Sequence, residues 1–315
     1  MVAPSIARPR SLPRFSGLAW RRARWGYVFI APWIVGFLAF TAIPMVATFI
    51  FTFTNINLAQ AEPLQFVGLR NYETLLDDQQ TWTSLVITFK FAALALPVAV
   101  ILPLLVALML HSRHLIGSSV FRILFFLPYV VPFVATVFIW GGMLNPETGW
   151  INYALEAVGI ENPPGWLEDP GWVYPGLMLI GVWGIGAGII VYLAALKGIP
   201  SDLYEAARID GAGAWQSLRH ITIPMLTPVI FYTIVLSVVE VLQYFLVPLV
   251  LQDGTGEPGG STMFYNLYLY KNFFTFQNMS YGATLAWLLF LISLAITLVL
   301  FGTARRWVYY AGEAR

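Results

Sequence analysis

Cysteine is absent from the 315 residues. Disulfides, thiolate metal ligands and a cysteine nucleophile are therefore excluded. Histidine is nearly absent: His111, His114 and His220 are the only three, each in a polar connection. These two shortages leave no metal site to expect. Charge is scarce too. Charged residues make up 10% of the chain, against roughly 25% in a soluble domain, so the surface cannot face water throughout. No stretch reads G-x4-G-K-[ST], so the phosphate-cradling loop of a nucleotide hydrolase is missing. The apolar runs hold no clustered Ser/His, Asp/Asp or His/Glu set, so no catalytic residue is expected and an intramembrane enzyme is disfavoured.

What is abundant is apolar. Hydrophobic residues make up 58% of the chain, and the expected fold is an all-α membrane protein. Six runs reach the roughly 20 residues that cross a bilayer as helix. They lie near 27–54, 85–110, 122–144, 173–196, 221–251 and 281–303. The first exceeds the about 7–15 residues of a signal-peptide core, and reads as a retained span. Prolines interrupt several runs, among them Pro32, Pro44, Pro97, Pro103, Pro128, Pro132, Pro224, Pro228 and Pro248. Kinked helices packed around something are expected, since neighbours must satisfy the freed carbonyls. Gly184 and Gly188 have the small-xxx-small spacing that lets helices approach closely.

Three parts follow: a basic segment over 1–26, a transmembrane domain over 27–303, and a tail over 304–315. The first part holds Arg8, Arg10, Arg14, Arg21, Arg22 and Arg24 and no acid, with Trp20 and Trp25 flanking the last three arginines. It reads as a segment at the lipid headgroups rather than a nucleic-acid tail. The termini and even-numbered loops carry these six arginines with Arg113, Arg122, Lys197, Arg208, Arg219, Arg305, Arg306 and Arg315. The odd-numbered loops carry only Arg70 and Lys271, with eleven acids. The lysine and arginine bias places both termini and the even loops in the cytoplasm.

One polar stretch between apolar runs has helical character: residues 201–224, SDLYEAARIDGAGAWQSLRHITIP. Pro200 breaks the chain before it, and Ser201 with Asp202 suits a helix cap. Leu203, Ala206, Ala207 and Asp210 share one side, while Glu205 and Arg208 are spaced to pair. Gly211 and Gly213 then break the helix, and a short turn with Trp215 and Leu218 leads to Pro224 and Pro228. Such a helix–glycine–helix can lie flat on the membrane surface and offer small side chains to a partner.

These residues resemble a known pattern. Glu205-Ala206-Ala207, Gly211, Ile221 and Pro224 match E-A-A-x3-G-x9-I-x-L-P, with Ile223 where leucine is usual. That is the EAA motif of the permease subunits of binding-protein-dependent ABC importers. The resemblance covers nearly the whole chain. Gly68-Leu69-Arg70-Asn71-Tyr72, Phe121-Arg122 through Pro128 and Pro132, Asn145-Pro146 with Gly149 and Asn152, and Tyr281-Gly282-Ala283 look like segments of the carbohydrate-uptake permeases. The lactose, maltose F-subunit and glycerol-phosphate types are the most similar. The usual T-G-G-G-P is replaced by Asp253-Gly254-Thr255-Gly256-Glu257-Pro258.

The resemblance implies a type I importer permease with six spans and a cytoplasmic coupling helix in the loop 198–220. It implies a second permease as partner, giving a heterodimer, a cytoplasmic ATPase dimer and an extracytoplasmic solute-binding protein. Glu205, Ala206, Ala207, Arg208, Asp210 and Gly211 would transmit motion from the ATPase. ATP and magnesium would be bound by that partner and no cofactor by this chain.

Two charges fall inside spans, Lys90 and Glu240, and intramembrane charges point to function. They are placed to pair with each other or to contact substrate. Gln243 and Tyr244 follow Glu240 by about a turn, a polar and aromatic set suited to a sugar. In the maltose-type family the matching part of this span contributes to the substrate site, so Gln243 and Tyr244 come first. Trp183 and Tyr192 are further candidates. The reading is a sugar importer's translocation pathway; a neutral oligosaccharide is favoured because no basic cluster lines the spans. The alternative is an ion-coupled secondary transporter, which would need several intramembrane carboxylates where only Glu240 is found.

Overall fold

The computed structural model describes residues 17–59, 63–112 and 115–310. Arg8, Arg10, Arg14, Glu62, Arg113, His114, Glu313 and Arg315 lie outside the described residues. The chain divides into two units, Met1–Phe51 and Thr52–Arg315.

In the first unit, α1 (Gly17–Phe37), a π turn (Leu38–Ala42) and α2 (Ile43–Phe51) run on without a break. Helix therefore begins well before the expected start at 27. The π turn has a local cause. A proline ring clashes with the carbonyl four residues back. Just before Pro44, the Ile43 N–H reaches the Leu38 oxygen, five residues back, and this widens the turn.

The second unit is also helical. Among the described residues it holds one isolated bridge, Thr54 to Phe66, and no strand. In order come α3 (Arg70–Asp77), α4 (Gln79–His111), α5 (Ser118–Val130), α6 (Phe133–Met143), α7 (Trp150–Ala157) and α8 (Val173–Trp183). Then follow α9 (Gly186–Lys197), α10 (Ser201–Ile209), α11 (Ala214–Ser217), α12 (Ile223–Leu242), α13 (Leu246–Leu251), α14 (Tyr265–Tyr270) and α15 (Met279–Trp307). Among the described residues, four helices are long and apolar enough to cross a membrane, and the number reaches six if each bent pair is one span.

The bent pairs revise two of the expected straight spans. α5 and α6 meet at 100°, and α8 and α9 at 55°. The first bend follows from Pro132: the residue before a proline is driven out of the helical region, and Val131 is extended. The second falls at Gly184 and Ile185, within the glycine-rich segment. The fifth span also differs. Helix starts at Ala214, runs through α11 and a π turn (Leu218–Thr222) into α12, and lapses at Gln243. That π turn again precedes a proline, Pro224, with Ile223 N–H bonded to the Leu218 oxygen.

α4 is the central post. Its first half, at Phe91 and Ala92, packs with Val137, Trp140, Leu177 and Phe264. Its second half, at Leu104, Ala107 and Leu110, packs with Ile189, Tyr192, Leu196 and Leu226. In lipid such contacts rest on close packing and interhelical hydrogen bonds rather than on water exclusion. Glycine provides the closeness. A Cβ on Gly186 would lie 2.3 Å from the Phe125 carbonyl oxygen, and one on Gly188 would lie 3.1 Å from Pro103. Gly184, the other half of the expected pair, meets nothing tighter than a carbonyl of its own turn.

Asp78 caps α4 and ties three elements together. One carboxylate oxygen accepts the Gln80 N–H. The other accepts hydroxyls from Thr81, Tyr268 and Tyr281, at 2.7, 2.7 and 2.5 Å. Burial pushes this carboxyl up, but the bonds from Tyr281, Thr81, Tyr268 and the Gln80 backbone outweigh it and hold the group below the usual aspartate value.

Candidate functional site

The stretch 201–224 folds as a short surface helix on the foot of a long one. α10 begins directly after Pro200, so Ser201 and Asp202 sit in its first turn and not at the cap. Asp202 there still favours the helix dipole. The helix ends in a full Schellman arrangement. The Ala212 N–H bonds the Ala207 oxygen at 2.8 Å, and the Gly211 N–H bonds the Arg208 oxygen at 3.1 Å. This closure needs a left-handed residue, and Gly211 supplies φ of 81°. The next helix starts at once: the Gln216 side chain accepts the Gly213 N–H at 2.7 Å, half of a capping box.

One contact fixes α10 to the body. The hydroxyls of Tyr204 and Thr222 are 2.9 Å apart, and Thr222 is buried. The Tyr204 ring packs on the core around Leu196 and Leu226. The opposite side of α10 is bare. Glu205, Ala206, Arg208 and Asp210 are exposed, with Ile209 at 87% and the nearby Trp215 at 70%. The expected Glu205–Arg208 pair does not form among the described residues. Arg208 Nε instead donates to the Tyr204 carbonyl of its own helix, at 3.3 Å. Glu205 is left facing outward.

Three of the intramembrane candidates, Glu240, Gln243 and Tyr244, lie at or beside a second feature, the lapse of helix at residues 243–245. Gln243 ends α12, and its carbonyl accepts the Asn266 Nδ2 at 2.8 Å. Irregular backbone at membrane depth persists only where protein covers it or water fills a cavity beside it. The side chains of Glu240 and Gln243 are exposed. Tyr244 is half-buried in a ring cluster, 4.9 Å from Phe91 and 5.4 Å from Phe264 between centroids. Lys90 is also exposed, and the expected Lys90–Glu240 pair is not formed among the described residues. Trp183 ends α8 at the 55° bend, half-exposed and edge-on to Trp140 at 5.7 Å. Tyr192 departs from its expected place: it has no exposed surface and belongs to the core beside α4, where close packing leaves it nothing to contact but protein.

The three breaks, at Val131, Gly184 and Gln243, lie on neighbours. α5 packs on α9, and α6 on both α8 and α13. The geometry is thus a set of interrupted helices around a post, with a bare surface helix at one end.

Residues 79–311 match the family described as "Binding-protein-dependent transport system inner membrane component". The chain belongs to this family. The family read from the motif at Glu205 to Pro224 is the one found, and the ion-coupled alternative falls away. Among similar permeases is a probable ABC transporter permease protein, YesP, of Bacillus subtilis (strain 168). It is 36% identical over 290 residues, covering 91% of this chain and 93% of the relative. The lactose transport system permease protein LacF of Rhizobium radiobacter is 34% identical, covering 89% and 94%. The trehalose/maltose transport system permease protein MalF of Thermococcus litoralis is 32% identical, covering 90% and 95%. The fold is similar to a chain in the crystal structure of a bacterial ABC transporter involved in the import of the acidic polysaccharide alginate. There the TM-score is 0.78 at 25% identity, covering 91% of this chain and 96% of that one.

In this inner-membrane permease, spacing alone did not reveal two positioning groups. Tyr204 and Thr222 are far apart in sequence, and neither belongs to the motif. Asn266 lies in α14 and reaches back to a carbonyl, which no side-chain pattern announces.

Proposed function

We propose that this permease is the membrane-spanning subunit of an ATP-driven carbohydrate importer and that it forms part of the translocation pathway. The lactose and trehalose/maltose relatives support the substrate class, and the lack of a basic cluster along the spans supports a neutral sugar. The charge bias supports cytoplasmic termini and a cytoplasmic α10. On that orientation Glu205, Ala206, Ala207, Arg208, Asp210 and Gly211 meet an ATPase dimer, which binds the ATP and magnesium. A second permease completes a heterodimer, and a solute-binding protein delivers the sugar from outside. Glu240, Gln243 and Tyr244, with Lys90 and Trp183, are the residues of this chain proposed to face the sugar. Hydroxyls need the donors and acceptors that the carboxylate, amide and ammonium provide, and the rings offer a face to sugar C–H groups.

The observation that carries the coupling is the asymmetry of α10: bare on one side, and fixed by Tyr204 to Thr222 on the other. A helix bound on one face and open on the other is suited to move only with what it is bound to. Replacing Glu205 by lysine tests this. Copurification of the ATPase and sugar uptake should both fall, while the permease still reaches the membrane. Survival of both would refute the coupling role.

A further inference from the structure

α14 has six residues, too few to hold a helical shape or a position alone. It is held on one side and holds on the other. Tyr265 and Tyr268, three apart, share the first side. The Tyr265 N–H is one of the orphan donors of a helix start, and Phe264 before it offers no side-chain cap. The acceptor comes from another helix: this N–H donates to Thr88 Oγ1 of α4 at 2.8 Å, and Thr88 is fully buried. The Tyr265 hydroxyl donates to the Leu285 carbonyl of α15 at 2.9 Å. The Tyr268 hydroxyl donates to Asp78 Oδ2 at 2.7 Å. Three polar ties therefore fix α14 to α4, its cap and α15.

The second side meets the lapse after α12 residue by residue. Asn266 Nδ2 donates to the Gln243 carbonyl at 2.8 Å. Phe264, just before the helix, stands edge-on to Tyr244 at 5.4 Å. The Tyr270 ring lies 5.5 Å from that of Phe245. Each of the three residues of the lapse thus has its own partner on or beside α14.

Irregular backbone has no helical ladder to fix it, so its position is set by the groups that satisfy and pack it. Here those groups belong to α14, and α14 takes its place from Asp78, Thr88 and Leu285. We propose that α14 positions the sugar-facing residues 243–245, and that Asp78 and Tyr268 act through it as positioning residues for transport. This rests on the reading of Gln243 and Tyr244 as facing the sugar. A helix that merely filled space would need neither three polar ties on one side nor a partner for each residue of the lapse on the other.

The chain has no cysteine, so single cysteines can report local opening. Val247, 1% exposed, lies just beyond the lapse, and the buried Ser237 lies before it on α12. Val247→Cys and Ser237→Cys are each timed in the whole importer with a water-soluble methanethiosulfonate, read as added mass on this chain. Adding Tyr268→Phe keeps the ring and removes one hydrogen bond. Modification at Val247→Cys should quicken about fivefold, the effect of one such bond on a local opening, while Ser237→Cys keeps its rate. Asp78→Asn keeps an oxygen for the helix cap but loses the acceptor of the hydroxyls, and should act alike. If it fails to assemble, Tyr268→Phe carries the comparison. Uptake of a radiolabelled neutral disaccharide should fall in step with the opening. Equal quickening at both cysteines would mean a general loosening and would overturn the proposal. So would an unchanged rate at Val247→Cys while Gln243→Ala still impairs uptake. Normal uptake in Gln243→Ala would instead remove the sugar-facing reading, and the proposal with it.

Discussion

The Tyr204 and Thr222 hydroxyls meet at 2.9 Å across an intervening glycine turn and helix, and so join α10 to the foot of α12. Tyr204→Phe keeps the ring in its apolar seat and removes only the hydrogen bond, whose net worth is about 1 kcal/mol. Uptake should fall about fivefold while ATPase copurification stays unchanged. Thr222→Val should do the same, and the two together should do little more than either, as expected of one shared bond. Paired uptake and copurification assays check this.

Gly211 meets no neighbour within 4 Å, so its requirement is conformational and not steric. Gly211→Asn should be the mildest substitution, because asparagine tolerates a left-handed backbone. Gly211→Val should cost about 1–2 kcal/mol in the closure of α10. The order of uptake activity, glycine over asparagine over valine, is the expected outcome.

Gly186 and Gly184 separate crowding from flexibility. Gly186→Ala drives a methyl to 2.3 Å from the Phe125 carbonyl and should cost about 1–3 kcal/mol as overpacking. Gly184→Ala has room and should be tolerated. Thermal melting of the purified permease compares the two.

Asn266→Leu removes the donor to the Gln243 carbonyl and leaves irregular backbone unpaired at membrane depth, at a cost of about 1–3 kcal/mol. Sugar uptake should fall with the ATPase still bound, and Asn266→Gln should restore part of it. Uptake at normal levels in Asn266→Leu would remove the amide from the pathway.

Asp78 sets a pH dependence with a definite sign. Its carboxyl is held below the ordinary value, so its contribution is present above the usual aspartate range and is lost as pH falls through the lowered value. Wild-type thermal stability should drop on acidification below about pH 4. Asp78→Asn should be less stable at neutral pH and should show a flatter profile in that acid range.

The apolar runs made the helical class legible, and Glu205 to Pro224 made the family legible, because period and fixed spacing survive in a linear string. Pro132 also announced its bend, since a proline constrains the residue before it wherever the chain goes. Other features depend on distant partners. The Lys90–Glu240 pair, suggested by shared depth, and the Glu205–Arg208 pair, suggested by spacing, do not form among the described residues, because rotamer and packing decide where long side chains go. Gly186 outranks Gly184 only because α5 crosses at that level. Tyr192 reads as an aromatic in a span, and only the packing of α9 on α4 makes it core. The lapse at Gln243 has no proline or glycine to mark it; a side chain from α14 satisfies the backbone there.

The helix that starts at Ala214 passes through its π turn and continues to Leu242, 29 residues in all. At 1.5 Å per residue that is a rod of about 43 Å. If such a rod turns about its foot by about 10°, its far end sweeps an arc of about 7 Å, more than one helical pitch. Gln243 sits at that far end. A displacement of a few ångströms near Tyr204 is therefore enough, by geometry alone, to carry the amide across the width of a sugar ring.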